Sequence, residues 1–255
     1  MKMTMDYQMI LFLCAAGFMA AFVDSVAGGG GIISIPAVMA IGVPPHLALG
    51  TNKLGAVFGS LSSTITYSRS KKIYFPLIKY MIPFTLIGAV LGVETVLSIN
   101  EKALELIILV LTLIIAIYTI CKKDLGSSND FQGLTKKNIA LGCVLAFVIG
   151  FYDGMFGPGS GSFLVFIFIS IYKFDYSISA GNGRILNFTS CAASFVTFAL
   201  NGSVDFLLGI PFAISMILGG LAGAKFAIKK GAKVIKPIFI AIALALTVKM
   251  LYSLL

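Results

Sequence analysis

Four charged residues lie inside apolar stretches of this 255-residue chain: Asp24, Lys53, Asp153 and Arg184. The two aspartates each precede a glycine cluster, in FVDSVAGGGG at 22–31 and FYDGMFGPGSG at 151–161. Glycines break a helix and leave bare backbone, and a buried carboxylate beside it can pair with a cation, cap a helix end or carry a proton. The paired breaks therefore predict a functional site.

The two cations indicate the chemistry of that site. Two cations that converge favour an anion, and hydroxyl and amide groups near them in sequence would supply hydrogen-bond donors. The helix N-termini after the glycine clusters would add free N–H groups and a partial positive charge. The residues that we expect to bind the anion are Lys53, Arg184, Thr51, Asn52, Asn182, Asn187, Gly30, Gly31, Gly159 and Gly161.

Each charge also has a structural interpretation. Lys53 and Arg184 could extend to the membrane interface. Asp24 and Asp153 could pair with these cations or cap broken helices, or they could couple transport to protons. Pairing would leave the four charges summing to zero, which weakens the case for an anion unless a carboxylate is displaced or protonated.

The elements that must position these residues are membrane helices. The chain is 58% apolar and 11% charged, and its mean hydropathy is +1.02. A span needs about 20 apolar residues, and suitable runs lie near 8–27, 47–67, 76–98, 103–121, 138–156, 180–200, 207–228 and 234–254. Two shorter runs, 32–43 and 162–172, follow the glycine clusters and predict short or re-entrant helices.

The sequence repeats internally. Adding 129 maps Asp24 to Asp153, and beyond the glycine clusters adding 131 maps Lys53 to Arg184. We predict an all-α polytopic membrane protein of two repeats, 1–121 and 138–255, joined by a polar linker at 122–137. Each repeat should hold three to four full spans and one short or re-entrant helix.

Loop charges predict that the repeats are inverted. Short cytoplasmic loops are rich in Lys and Arg, and basic residues crowd the loop near 68–75, the linker and the loop at 229–236. Matching loops in the other half, at 201–205 and 99–102, are not basic. Matching loops thus face opposite sides, which is typical of inverted repeats and places both termini outside.

Other classes of function are disfavoured. The net charge of +9 is explained by cytoplasmic loops and does not imply nucleic-acid binding. The four cysteines lie in apolar runs without metal-binding spacing, and a lone His46 cannot build a metal site. No nucleotide-binding or hydrolase motif appears. We therefore expect no enzyme activity, no metal and no cofactor.

The motifs D-x-x-x-G-G-G-G, G-T-N-K and Y-D-G-x-x-G-P-G-x-G, which begin at Asp24, Gly50 and Tyr152, resemble those of the sulfite exporter TauE/SafE family. The similarity extends over almost the whole chain. It implies a multi-pass carrier of the bacterial inner membrane that exports sulfite, sulfonates or other small sulfur oxyanions. Its motifs fall on Asp24, Gly28 to Gly31, Thr51, Asn52, Lys53, Asp153, Gly157 to Gly161 and Asn187.

The expected function is alternating-access export of a small anion bound near Lys53 and Arg184, with the lipid bilayer as its environment. An inside-negative potential would drive an anion outward by about 2.3 kcal/mol per charge per 100 mV. A proton- or cation-coupled carrier using Asp24 and Asp153, or an anion channel, are the alternatives. Substrate identity, direction and oligomeric state stay open, with a homo-oligomer among the options.

Overall fold

The computed structural model describes residues 7–121 and 128–230, and all regular structure in these ranges is α-helical. The predicted runs become helices at nearly the predicted positions, except that the last run, 234–254, lies outside the described residues. The helices are α1 (Tyr7–Ala27), α2 (Gly31–Met39), α3 (Pro45–Arg69), α4 (Phe75–Leu97), α5 (Glu101–Cys121), α6 (Lys136–Met155), α7 (Ser160–Tyr172), α8 (Tyr176–Leu200) and α9 (Phe206–Lys230).

Within the described residues, four helices are long and apolar enough to cross a membrane: α1, α4, α6 and α9. The helices α3 and α8 are equally long, with 25 residues each, but they bury many hydroxyl and amide side chains. The short helices α2 and α7 have 9 and 13 residues, and at about 1.5 Å per residue neither reaches across a core of about 30 Å. The all-helical, polytopic prediction is confirmed.

The predicted glycine breaks separate α1 from α2 and α6 from α7. Gly28 and Gly157 have φ of +75° and +94°, a region that L side chains rarely adopt. The two breaks also lie against each other, since a Cβ on Gly28 would overlap the backbone of Gly161 and Ser162. Glycine is therefore required both by the turn and by the close approach of the two halves.

One boundary differs from the sequence expectation. The polar linker ends at Thr135, because Thr135 and Asn138 form a capping box that starts α6 at Lys136. The single histidine, His46, lies in the first turn of α3, where its Nε2 is 3.0 Å from the carbonyl oxygen of Val96.

The helices form two bundles that exchange elements between the sequence halves. In the first bundle, α1, α2 and α3 pack with α9 of the second half, and in the second, α6, α7 and α8 pack with α4 of the first half. Close backbone approach holds these units together: Gly88 and Gly92 of α4 face carbonyl groups of α6, and Gly219 and Gly223 of α9 face carbonyl groups of α1. The two bundles meet mainly along α3 and α8.

The contacts between halves are reciprocal. Gly50 on α3 lies against Ser203, and its counterpart Gly181 on α8 lies against Lys72, which is the counterpart of Ser203. From Gly50 to Ser62, later residues of α3 contact later residues of the segment that leads into and forms α9. The helices α3 and α9 therefore run parallel. Such reciprocity is what a two-fold relation between the halves requires.

Candidate functional site

The four charged residues predicted from the sequence form two ion pairs, and both pairs cross between the bundles. Lys53 on α3 pairs with Asp153 on α6, and Arg184 on α8 pairs with Asp24 on α1. Each cation thus pairs with the aspartate of the other half. All four charges are compensated, as the structural interpretation of Asp24 and Asp153 anticipates.

The Lys53–Asp153 pair is sealed inside the protein. Its Nζ lies 2.9 Å from Asp153 Oδ2 and also donates to the Asp153 carbonyl oxygen. The hydroxyls of Ser160 and Ser190 donate to Oδ1 and Oδ2, both at 2.6 Å. Only 2% of the Lys53 side chain and 3% of the Asp153 side chain are exposed. Both carboxylate oxygens therefore accept hydrogen bonds from the protein.

The Arg184–Asp24 pair is more open. Arg184 Nη1 donates to Asp24 Oδ2, while the backbone N–H groups of Gly29 and Gly30 donate to Oδ1 at 3.0 and 3.1 Å. The side chain of Arg184 is 1% exposed, but that of Asp24 is 22% exposed. The Asp24 carboxylate therefore already binds N–H groups just before α2, the region where the sequence predicts that a ligand binds.

A cavity lies between the bundles at these ion pairs. It holds about 350 Å³ of empty space, part of it open to the exterior. The lining residues are Asp24, Gly30, Gly31, Ser34, Asn52, Lys53, Ala56, Asp153, Gly157, Ser160, Asn187, Cys191 and Met216. They come from α1, α2 and α3 on one side, α6, α7 and α8 on the other, and from α9.

Several predicted site residues do line this cavity: Lys53, Asn52, Asn187, Gly30, Gly31, Asp24 and Asp153. Asn187 connects the two pairs, because its Oδ1 lies 3.5 Å from Arg184 Nη1 and its Nδ2 lies 3.5 Å from Ser160 Oγ. Arg184 does not line the cavity itself and reaches it through Asp24 and Asn187.

Thr51 and Asn182 lie elsewhere. The Asp205 N–H donates to Thr51 Oγ1 at 2.9 Å, and the Tyr74 N–H donates to Asn182 Oδ1 at 2.7 Å. Thr51 on α3 thus binds the backbone just before α9, and Asn182 on α8 binds the backbone just before α4. The reason is helical geometry: residues two apart point to nearly opposite sides, so Thr51 and Asn182 face away from Lys53 and Arg184.

Gly159 and Gly161 also lie outside the cavity lining. Gly159 has φ +78° and precedes α7, so it serves the turn. Gly161 makes room for the guanidinium of Arg184, which a Cβ at this position would overlap. Both glycines shape the site through the backbone.

Sequence reasoning missed Ser160, Ser190 and Cys191. Helical spacing along α8 identifies Asn187 and Cys191 as neighbours of Arg184, because the three residues occupy positions i, i+3 and i+7 on one face. Two buried polar atoms near the pairs have no hydrogen-bond partner among the described residues, namely Arg184 Nη2 and Asn52 Oδ1. Buried polar groups are normally bonded, so these two atoms have unused hydrogen-bonding capacity.

Comparisons with known proteins agree with this architecture. A family model described as "Sulfite exporter TauE/SafE" matches residues 13–250. The chain is 36% identical to the "Probable membrane transporter protein ORF9" of Sinorhizobium sp., with 96% of this chain and 93% of the relative covered.

Two further relatives bear the same kind of name. A probable membrane transporter protein of Haemophilus influenzae is 34% identical, with 98% of both chains covered. The probable membrane transporter protein YfcA of Escherichia coli strain K12 is 35% identical, with 96% of this chain and 89% of the relative covered. No solved structure matches. The chain is a membrane transporter and belongs to the sulfite exporter TauE/SafE family.

Proposed function

We propose that this protein is a secondary transporter that exports small anions, in particular sulfite, sulfonates or related sulfur oxyanions. The observation that carries the proposal is the pair of buried cations, Lys53 and Arg184, which come from opposite bundles: Lys53 lines the cavity, and Arg184 contacts its lining residues Asp24 and Asn187. The family name points to the same class of substrate.

Donors suited to an oxyanion lie at the cavity and directly behind its lining. Arg184 Nη2 has no partner among the described residues, and the Asn187 amide holds only long contacts of 3.5 Å. A guanidinium edge and an amide can together bind two oxygens of one anion. An anion here would compete with Asp24 for Arg184, so we infer that the carboxylate acts as a placeholder in the empty carrier.

Alternating access would come from rocking of one bundle against the other. The moving units would be the exchanged bundles rather than the sequence halves, because the glycine contacts of α4 with α6 and of α9 with α1 lie within bundles. The ion pairs and the cavity, in contrast, lie between the bundles. An inverted membrane orientation is supported by the parallel course of α3 and α9 together with the short loop, 201–205, that reverses the chain before α9.

Transport of radiolabelled sulfite into proteoliposomes tests this function. Both charges of one pair should be removed together, as in Lys53→Met/Asp153→Asn and Arg184→Met/Asp24→Asn, since a lone buried charge lowers stability by about 3–5 kcal/mol. We expect each double variant to lose at least about tenfold in rate, because hydrogen bonds to charged groups contribute about 1.5–3 kcal/mol.

A matched pair of amide variants provides the control. Asn187→Ala should slow sulfite transport, whereas Asn182→Ala, whose amide binds the Tyr74 backbone outside the cavity, should retain the rate per folded molecule. Wild-type rates in both double variants would refute the assigned site. Flux of a cation that needs the aspartates but not Lys53 or Arg184 would favour a cation carrier, and single-channel currents in a bilayer would favour a channel.

A further inference from the structure

The two ion pairs make the buried site electrically neutral before any substrate arrives. Asp24 and Asp153 contribute two negative charges, and Lys53 and Arg184 contribute two positive charges. A monoanion that enters this region adds one uncompensated charge, which is unfavourable where water is excluded. Neutrality returns if one carboxylate takes up a proton as the anion binds.

The two carboxylates are unequal candidates for that proton. Asp153 is 3% exposed, and serine hydroxyls and Lys53 donate to both of its oxygens. Asp24 is 22% exposed and lines the cavity. Its Oδ1 accepts the two glycine N–H groups, whereas Arg184 Nη1 donates to Oδ2. If Arg184 turns toward an anion, Oδ2 becomes free while Oδ1 stays bound.

We propose that Asp24 is the proton-binding site of the carrier, and that one proton crosses with each monoanion. This inference rests on the proposed function and adds a second, coupled substrate to it. The anion accepts the hydrogen bond from Arg184, and the released Oδ2 binds a proton from water in the cavity. On the other side of the membrane the anion leaves, the proton is released, and Arg184 pairs with Asp24 again.

Other ionisable groups surround Asp24. On α8 these are Arg184 and Cys191, and on α6 the nearest is Asp153. On α3 they are Lys53, which lines the same cavity, and Tyr67, whose hydroxyl bonds to the Ser25 carbonyl next to Asp24. Helix α2 carries no ionisable side chain, and Lys225 on α9 is exposed. Two of these groups are carboxylates that line the cavity, and of the two Asp24 is the more exposed, at 22% against 3% for Asp153.

Transport of a monoanion together with a proton is electroneutral. The membrane potential should then have no effect on the accumulation of a monoanion, in contrast to the expectation from sequence alone. The pH difference should set the accumulation instead. Methanesulfonate is a suitable probe because it stays ionised at every pH used in the transport assay. Any proton that crosses with it is therefore carried by the protein and not by the probe.

The test measures the accumulation of radiolabelled methanesulfonate in proteoliposomes. For the wild type, an interior one pH unit more alkaline should give about tenfold accumulation at steady state, and a potassium diffusion potential alone should give none. For Asp24→Asn, the pH difference should give no accumulation, and any remaining flux should follow the potential, at about tenfold per 59 mV. Asp153→Asn should slow the flux but keep the response to pH.

If a variant transports too little methanesulfonate to measure, infrared difference spectroscopy provides a second test. Adding methanesulfonate to the wild type should produce the carbonyl band of a protonated carboxylic acid, which Asp24→Asn should remove and Asp153→Asn should retain. Wild-type accumulation that follows the potential, or a band that survives in Asp24→Asn, would overturn proton coupling while leaving anion transport intact. A wild type that carries neither methanesulfonate nor sulfite would instead refute the proposed function.

Discussion

The two ion pairs occupy equivalent places in the repeat but have different surroundings. The Lys53–Asp153 pair is enclosed, with serine hydroxyls from α7 and α8 on its carboxylate. The Arg184–Asp24 pair relies on backbone N–H groups and leaves its carboxylate 22% exposed. Equivalent positions of the two halves therefore hold one enclosed ion pair and one more exposed ion pair, and our proposal assigns the ligand to the second.

The difference arises from a few substitutions between equivalent positions. Ser160 corresponds to Gly31, and Ser190 corresponds to Gly59. In the second half both positions supply a hydroxyl to Asp153, while in the first half glycine supplies none to Asp24. The carboxylate without hydroxyl donors is the more exposed of the two, at 22% against 3%.

The largest expected effect comes from removing one cation at a time. Lys53→Ala leaves Asp153 buried and unpaired, which should cost about 3–5 kcal/mol of stability. Arg184→Ala should cost less, because Asp24 keeps its two N–H donors and is partly exposed. Thermal unfolding of the purified proteins in detergent measures both.

The double variant Lys53→Met/Asp153→Asn is the control for this comparison, and it should regain most of the stability that Lys53→Ala loses. Equal losses in Lys53→Ala and Arg184→Ala would contradict the distinction between a sealed pair and an open pair.

A smaller effect is expected from the hydroxyl that supports Asp153. Ser190→Ala should lower stability by about 1–2 kcal/mol, because a hydrogen bond to a charged, buried carboxylate is lost. Ser194→Ala is matched to it, since Ser194 is equally buried on α8 but donates only to the Ser190 carbonyl oxygen at 2.7 Å. A larger loss in Ser194→Ala than in Ser190→Ala would argue against the sealing role of Ser190.

Much of the fold could be predicted from sequence because it depends on local signals. Apolar runs of about 20 residues and glycine clusters define helices and breaks within one segment of chain. The repeat then located Lys53 and Arg184 at the same depth, eight residues after the first residue of α3 and α8. Which aspartate pairs with which cation could not be predicted, because this pairing depends on the exchange of α4 and α9 between the bundles.

The differences between the expected site residues and those that line the cavity have a geometric origin. Thr51 and Asn182 were grouped with the cations because they are close in sequence, but a separation of two residues turns a side chain to the far side of a helix. Asn187, three residues after Arg184, does share its face and lies 3.5 Å from it. Helical spacing could not identify Ser160, because Ser160 and Asp153 lie on different helices and are brought together by the turn between α6 and α7.

The central claim, that the anion binds at the open pair in the cavity between the bundles, can be tested most directly by diffraction. Crystals grown with selenite, the selenium analogue of sulfite, should show an anomalous selenium peak beside Arg184 and Asn187, with Asp24 displaced from the guanidinium. A peak outside the cavity, or no peak although selenite competes with sulfite for transport, would contradict the account.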